Sequence, residues 1–433
     1  MKLNTIYLGN NLEILKTFPD NSVDCVVTDP PYGLGKEPEV TKVLKEWLDK
    51  GYYEVSGKGF MGKEWDAFVP QPILWKEVFR VLKHGGYLLS FSGTRTYDWI
   101  VMGLRIAGFE IRDMLGWLYG SGMPKGQNVS KAIDKHFGLE REVIGKSSYD
   151  MPSNKDTAKK LKELGDTSGY SFGHAVGAER IVADITKPNH PLAQEYDGWN
   201  TALKPSVEPI VMARKPIKES TIAKNIIKYG TGAINIDGCR IATDELTPRN
   251  NKIGQNGVFN SGGGYIEPNP LGRYPANIIH DGSEEVEAIF PETESGKMLP
   301  THNRTTDGSP NGIYGKFDKD FPLGETYGDS GSASRFFYCA KASQEERNFG
   351  MKDFKNIHPT IKPLELMRYL VKLVTPKDGV VLDPFMGSGT TAIACKLEKF
   401  NYVGIELMPE YVEIANARLK AHNIITYDIF DFI

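Results

Sequence analysis

The sequence predicts an α/β protein built on a doubly wound, mostly parallel sheet. Two stretches carry that expectation. Residues 3–119 and 335–421 each alternate short apolar runs rich in β-branched residues with amphipathic stretches of helical period. A third observation is a glycine turn, Gly387-x-Gly389, set between such a run and a helix. Open α/β sheets hold their ligands at turns of this kind, outside the carboxyl ends of the strands.

Ile6-Tyr7-Leu8 followed by Gly9-Asn10 reads as a first strand and its exit turn, and Leu12, Leu15 and Phe18 give one or two helical turns before Pro19-Asp20. Residues 23–28 form a buried strand, and Asp29-Pro30-Pro31-Tyr32 stands just past its carboxyl end. Each proline fixes φ near about −65° and donates no hydrogen bond, so the turn is stiff and its carbonyls are fixed acceptors. A strand ending in a proline turn with a capping Asp would use the same residues. Residues 33–66 are polar and spotted with glycine, too long for an idle connection. Lys58 and Lys63, interleaved with Phe60 and Trp65, suit phosphate contact and plain solvation equally. Ile73, Leu74, Val78, Val81 and Leu82 share one helical face that ends at His84-Gly85-Gly86. Tyr87–Phe91 is a buried strand, residues 94–106 a helix closed by Gly108, and residues 111–118 a strand. Trp117 on that strand fits a core position or the wall of a pocket.

The pattern then breaks. Residues 120–200 hold one charged helix, 155–164, and much Gly, Ser and Pro. Residues 207–213 restore a strand and 221–228 a helix. Residues 231–334 are loop-rich, yet Phe259, Tyr265, Tyr274, Phe290, Tyr314 and Phe317 indicate a folded unit rather than disorder. The expected division is therefore a first sheet half (1–119), an insertion (120–200), a return to the sheet (201–230), a loop-rich region (231–334) and a second sheet half (335–433).

In that last part, His358-Pro359-Thr360-Ile361-Lys362-Pro363 precedes a helix striped with Leu366, Leu370 and Leu373, with Thr360 placed to cap it. Val380–Asp383 is a strand; the glycine turn and a helix from Ala392 follow, then a strand over 402–406 and a last helix over 409–421. Ala392 falls where the third small residue of a dinucleotide fingerprint would be, and Glu406 closes the following strand, where an acid binds ribose hydroxyls. The glycines admit a ligand to the backbone, and the helix amino end offers it N–H groups. Nicotinamide dinucleotide, and with it an oxidoreductase, is the generic reading of this unit. The Asp-Pro-Pro-Tyr turn has no role in hydride transfer.

Composition narrows the class. Hydrophobic content of 40% and charged content of 25% are those of an ordinary globular chain of 433 residues. The formal net charge of −3 excludes a globally basic nucleic-acid binder, so any such attraction has to be local. Cys25, Cys239, Cys339 and Cys395 are far apart and form no CxxC pair, so neither a metal site nor a disulfide framework is expected. There is no signal peptide, and no apolar run nears the ~20 residues that span a bilayer. The expectation is a soluble, cytoplasmic protein without a membrane partner.

The Asp29-Pro30-Pro31-Tyr32 turn, together with Asp383-x-Phe385-x-Gly387-x-Gly389 and the HPTIKP segment before it, resembles the S-adenosylmethionine-dependent amino-methyltransferases of DNA. The order of the motifs is similar to that of the circularly permuted β group, and the matching segments cover residues 3–33, 72–119 and 335–421. The resemblance implies a Rossmann-like methyltransferase sheet in permuted order, with DNA contacts in 120–200 and target recognition in 231–334. It implies that Asp29, Pro30, Pro31 and Tyr32 are catalytic, with Tyr32 stacked on a base extruded from double-stranded DNA. Asp383, Phe385, Gly387 and Gly389, with Ser388 in the same loop, would hold the methionine portion of S-adenosylmethionine, and Glu406 its ribose. Asn10 stands where family members often carry Asp near the cofactor's adenine. Thr360 and Lys362 would reach the methionine carboxylate, although helix capping also explains Thr360. The tyrosine form of the catalytic turn, rather than the serine form associated with cytosine N4, favours adenine N6 as the acceptor. Family likeness also leaves room for a homodimer and for a cognate restriction endonuclease not stably bound.

Overall fold

The computed structural model describes residues 1–35, 37–55, 66–122, 126–151, 179–243, 249–250, 265–266, 270–295, 329–340 and 361–428. The helix expected over 155–164, the Lys58 and Lys63 loop, and Thr360 all lie outside the described residues. In chain order the strands are β1 (Thr5–Leu8), β2 (Cys25–Thr28), β3 (Tyr87–Phe91), β4 (Glu110–Leu118), β5 (Glu142–Met151), β6 (Glu179–Lys187), β7 (Val207–Arg214) and β8 (Arg249–Asn250). They continue with β9 (Tyr265–Ile266), β10 (Ile278–His280), β11 (Glu292–Ser295), β12 (Asp329–Ser332), β13 (Tyr338–Cys339), β14 (Val380–Asp383) and β15 (Asn401–Glu406).

Nine of these make one sheet in the order β1-β15-β14-β2-β3-β7-β4-β10-β13. From β1 to β3 every neighbour is parallel, with Leu8 opposite Glu406, Asp383 opposite Gly404 and Thr28 opposite Ser90. The carboxyl ends of β1, β15, β14, β2 and β3 therefore share one edge. The sheet is not parallel throughout, because β7 runs antiparallel to β3, with Phe91 opposite Ile210. An antiparallel neighbour needs no crossover helix, and it brings the amino-terminal residues of β7 to the edge where the parallel strands end.

Local sequence explains the helices that cover the sheet. Pro72–Val81 opens on proline, whose missing N–H costs nothing in a first turn, and buries Leu74, Trp75, Val78 and Val81. Tyr97–Ala107 is closed by Gly108 in the left-handed region at φ 104°, and it starts three residues later than its pattern suggests. Leu364–Val374 buries its leucine stripe, Thr390–Leu397 follows the glycine turn, and Pro409–Asp428 runs beyond its expected end. The core is continuous from Val26, Leu88, Val211, Leu382, Val403 and Ile405 on the sheet to Leu15, Trp75, Ile100 and Leu104 on the helices. Trp47, Phe68 and Trp99 close it as an edge-packed cluster with centroids 5.3–5.9 Å apart. Trp117 is buried.

Residues Leu118–Val207 form a separate compact unit. The antiparallel pair β5–β6 and helices Val129–His136 and Pro191–Glu195 build it. Its centre is Asp134, almost fully buried, which accepts from Arg141 at 2.8 Å and from the main-chain N–H groups of Asn189 and His190. Among the described residues no helix is long and apolar enough to cross a membrane.

Candidate active site at the carboxyl edge of the sheet

The Asp29 turn is held on both sides. The main-chain N–H groups of Tyr32 and Gly33 donate to Asp66 Oδ1 at 3.0 and 3.1 Å, and Thr96 Oγ1 donates to the Tyr32 carbonyl at 2.6 Å. Gly33 has φ +63°, and a Cβ there would lie 2.8 Å from Val69 N, so both conformation and space require glycine. Below the turn, Thr28 Oγ1 donates to Asp383 Oδ1 at 2.6 Å and ties β2 to β14.

Four side chains meet above it. Tyr32 Oη lies 2.8 Å from Asp29 Oδ1 and 3.0 Å from Glu208 Oε2, and one phenolic hydrogen can serve only one of them at a time. Lys362 Nζ lies 2.7 Å from Asp29 Oδ2 and 3.2 Å from Glu208 Oε2, with its ammonium 5.3 Å from the Tyr32 ring centroid and 4.9 Å from that of Phe91. Burial, and then the Asp29 and Glu208 charges, push the Tyr32 phenol well above its usual pKa. Burial works against the Lys362 ammonium, but the two carboxylates outweigh it and hold the lysine above its ordinary value. Two carboxylates facing one ammonium leave the group with net negative charge.

Glu208 is a residue that the sequence reading missed. It is the first charged side chain on β7, but the apolar pattern of a strand says nothing of its direction. Lys362, expected at the methionine carboxylate of the cofactor, has its ammonium on Asp29 and Glu208.

The glycine turn lies on the neighbouring strands. Asp383, 2% exposed, accepts from Thr28, from the Phe385 N–H at 3.0 Å and from Thr391 Oγ1 at 2.6 Å, and so fastens strand, turn and helix together. Burial nevertheless pushes its pKa up to about 6 against those three donors. Gly387 and Gly389 have φ 53° and 83°. A Cβ on Gly389 would lie 2.8 Å from Ala415 Cβ, so close packing of the last helix accounts for that glycine. Glu406 Oε2 accepts the Gly387 N–H at 2.7 Å and Oε1 the Met408 N–H at 2.9 Å; burial raises its pKa above the usual glutamate value. Arg418, buried, donates to the Ser388 carbonyl at 2.7 Å and to Ser388 Oγ and Thr390 Oγ1 at 3.0 Å each. The Ser388 hydroxyl and carbonyl are thus held from behind by the last helix. Asn10 is exposed and caps the first helix through Glu13 N, while Asn11 Nδ2 reaches the Pro384 carbonyl at 3.1 Å. Asp66, Thr96, Asn11 and Arg418 carried no sequence signal, because the partners of each lie far away in the chain. Among the described residues no group of three or more His, Cys, Asp or Glu could hold a metal ion.

A sheet edge with this proline turn and glycine loop side by side is the arrangement of a group-transfer enzyme that binds a nucleoside cofactor. A family model described as DNA methylase, of the N6 and N4 type, matches residues 23–417, and the chain belongs to that family. The type II methyltransferase M.HindIII of Haemophilus influenzae is 22% identical over 436 residues, covering 96% of this chain and 95% of that protein. M.XycI of Xanthomonas campestris pv. cyanopsidis is 46% identical and M.Cfr9I of Citrobacter freundii 37% identical, each over 103 residues. Those two matches cover 21% of this chain and 34% of each relative's length. Among solved structures, the cytosine-N4-specific PvuII DNA methyltransferase overlaps 97% of the chain and 91% of its own at 14% identity and a TM-score of 0.41.

Proposed function

We propose that this chain transfers a methyl group from S-adenosylmethionine to the exocyclic N6 of an adenine extruded from double-stranded DNA. The observation that carries the reading is the Asp29 carboxylate, held beside Tyr32 at the sheet edge, next to the glycine turn, in a member of the DNA methylase family.

The residues present fit the cofactor. A carboxylate has about four acceptor sites, and the N–H groups of Gly387, Leu407 and Met408 use at most three on Glu406, leaving one for a ribose hydroxyl. Glu406 would hold the ribose, and Asp383, Phe385, Gly387 and Gly389 would frame the methionine portion. When bound, S-adenosylmethionine would supply the methyl of its sulfonium, the C–S electron pair staying with sulfur as a neutral thioether while the amine's lone pair makes the new N–C bond.

The chain's own work concerns the acceptor. An exocyclic amine is a poor nucleophile because its lone pair is delocalised into the ring. The Asp29 carboxylate and Pro30 carbonyl accept its two N–H bonds, which localises the lone pair toward the methyl carbon. The proton that the nitrogen then loses is held at an Asp29 oxygen before passing to water. The Tyr32 ring stacks on the flipped base, a contact worth about 1–3 kcal/mol against the few kcal/mol that extrusion costs. The tyrosine of the turn favours adenine over cytosine. The motif order, with residues 29–32 far ahead of Gly387, supports the permuted β group, and we assign target reading to 231–334.

Labelled S-adenosylmethionine, incubated with the protein and duplex DNA, RNA or protein, followed by nucleoside digestion, tests this. Label in N6-methyldeoxyadenosine is expected. Label in N4-methyldeoxycytidine overturns the base assignment, and label only in RNA or protein overturns the substrate.

A further inference from the structure

Resting on that methyl-transfer reading, we propose that Glu208 is a positioning residue which takes the Tyr32 hydroxyl and the Lys362 ammonium from Asp29 as the target amine arrives. Both donors already lie within reach of both carboxylates. Asp29 spends Oδ1 on the phenol at 2.8 Å and Oδ2 on the ammonium at 2.7 Å. A carboxylate engaged in that way is a weak acceptor for an amine. The ammonium beside it also opposes the positive charge that develops on the attacking nitrogen. Glu208 Oε2 offers the alternative, 3.0 Å from the phenol oxygen and 3.2 Å from the ammonium nitrogen.

The hydroxyl exchanges by turning about its C–O bond, and the ammonium, already 3.2 Å from Glu208, moves toward it by a small change in the lysine side-chain torsions; no covalent bond is made or broken. Glu208 is fixed for this role by the antiparallel entry of β7. The next carbonyl, Pro209, accepts both the Ser92 N–H and Ser92 Oγ at 3.0 Å, which pins the start of the strand to the end of β3. Neighbouring acids are engaged elsewhere. Asp66 accepts the Tyr32 and Gly33 N–H groups, and Asp383 accepts from Thr28, Phe385 and Thr391. A merely structural Glu208 would pair with Lys362 for stability and leave the rate of transfer alone.

The test compares single-turnover methyl transfer to duplex DNA by the wild type, Glu208→Gln, Lys362→Met and the double variant, with S-adenosylmethionine dissociation constants alongside. Glu208→Gln should slow transfer about 10- to 100-fold, less than loss of a direct contact because Asp29 remains. Cofactor affinity should hold within about twofold, which also reports an intact fold. Adding Lys362→Met should restore about tenfold of the lost rate, a coupling that additive structural damage does not produce. Glu208→Gln within about threefold of the wild type, or a double variant no faster than Glu208→Gln, overturns the proposal. A wild type that methylates no DNA overturns the underlying reading as well, so the two failures are distinguishable.

Discussion

Replacing Asp29 by alanine removes the carboxylate to which we assign the amine's protons while sparing most of its surroundings. Loss of one contact made to charge developing in the transition state costs about 10²–10³ in rate, or about 3–4 kcal/mol. Here the loss is larger, because the Lys362 ammonium is left beside the attacking nitrogen, 3.2 Å from Glu208 and without its 2.7 Å partner. A fall of at least about 10³ is expected. Stability should suffer less. Breaking a buried pair outright costs about 3–5 kcal/mol, but Tyr32 and Lys362 both keep Glu208, so a loss of about 1–2 kcal/mol is expected. Cofactor affinity should be preserved, since it is Thr28, not Asp29, that bonds Asp383 in the glycine turn. Rapid-quench single-turnover transfer, fluorescence titration of S-adenosylmethionine and urea melts measure the three quantities. An Asp29→Ala rate within about tenfold of the wild type would refute the acceptor role.

Three other outcomes follow from the same geometry. Glu406→Ala should weaken S-adenosylmethionine binding about 10- to 100-fold, the worth of charged hydrogen bonds, and an unchanged dissociation constant would remove the ribose assignment. Gly389→Ala should destabilise the fold by about 2–4 kcal/mol in urea melts, combining a left-handed φ with a Cβ 2.8 Å from Ala415; a neutral substitution would contradict the packing account. For Asp383, burial raises the folded pKa from 3.8 to about 6, so the folded state binds more protons than the unfolded chain between those values. Its contribution to stability is therefore greatest below pH ~4 and falls by about 3 kcal/mol as pH rises through about 6. Asp383→Asn should flatten that part of the pH profile, and an identical slope in the variant would contradict the burial argument.

Much of the fold was legible because the signals that encode it are local. Alternating apolar runs and helical stripes predicted an α/β, mostly parallel sheet. The proline turn and glycine turn stood out because few other uses need those residues at a strand end. What stayed hidden was the partnership between distant residues. Strand patterning encodes which face is buried, not which way the chain runs, so Glu208 could not be assigned to the edge that Asp29 occupies. Gly389 was read as room for a ligand, and the second demand on it, space for Ala415, could not be read from the sequence. Asn10 has the side chain of a cofactor contact and the geometry of a helix cap, and the sequence does not separate these. Arg418 belongs to no motif, yet it lies buried behind Ser388 and Thr390.

The central claim is that the Asp29 edge methylates adenine in DNA. Modification-sensitive sequencing of DNA from cells expressing the wild type and Asp29→Ala tests it directly. The account predicts N6-methyladenine within one recurring sequence context in the first sample and none above background in the second. N4-methylcytosine in that context, or N6-methyladenine that persists with Asp29→Ala, would contradict it.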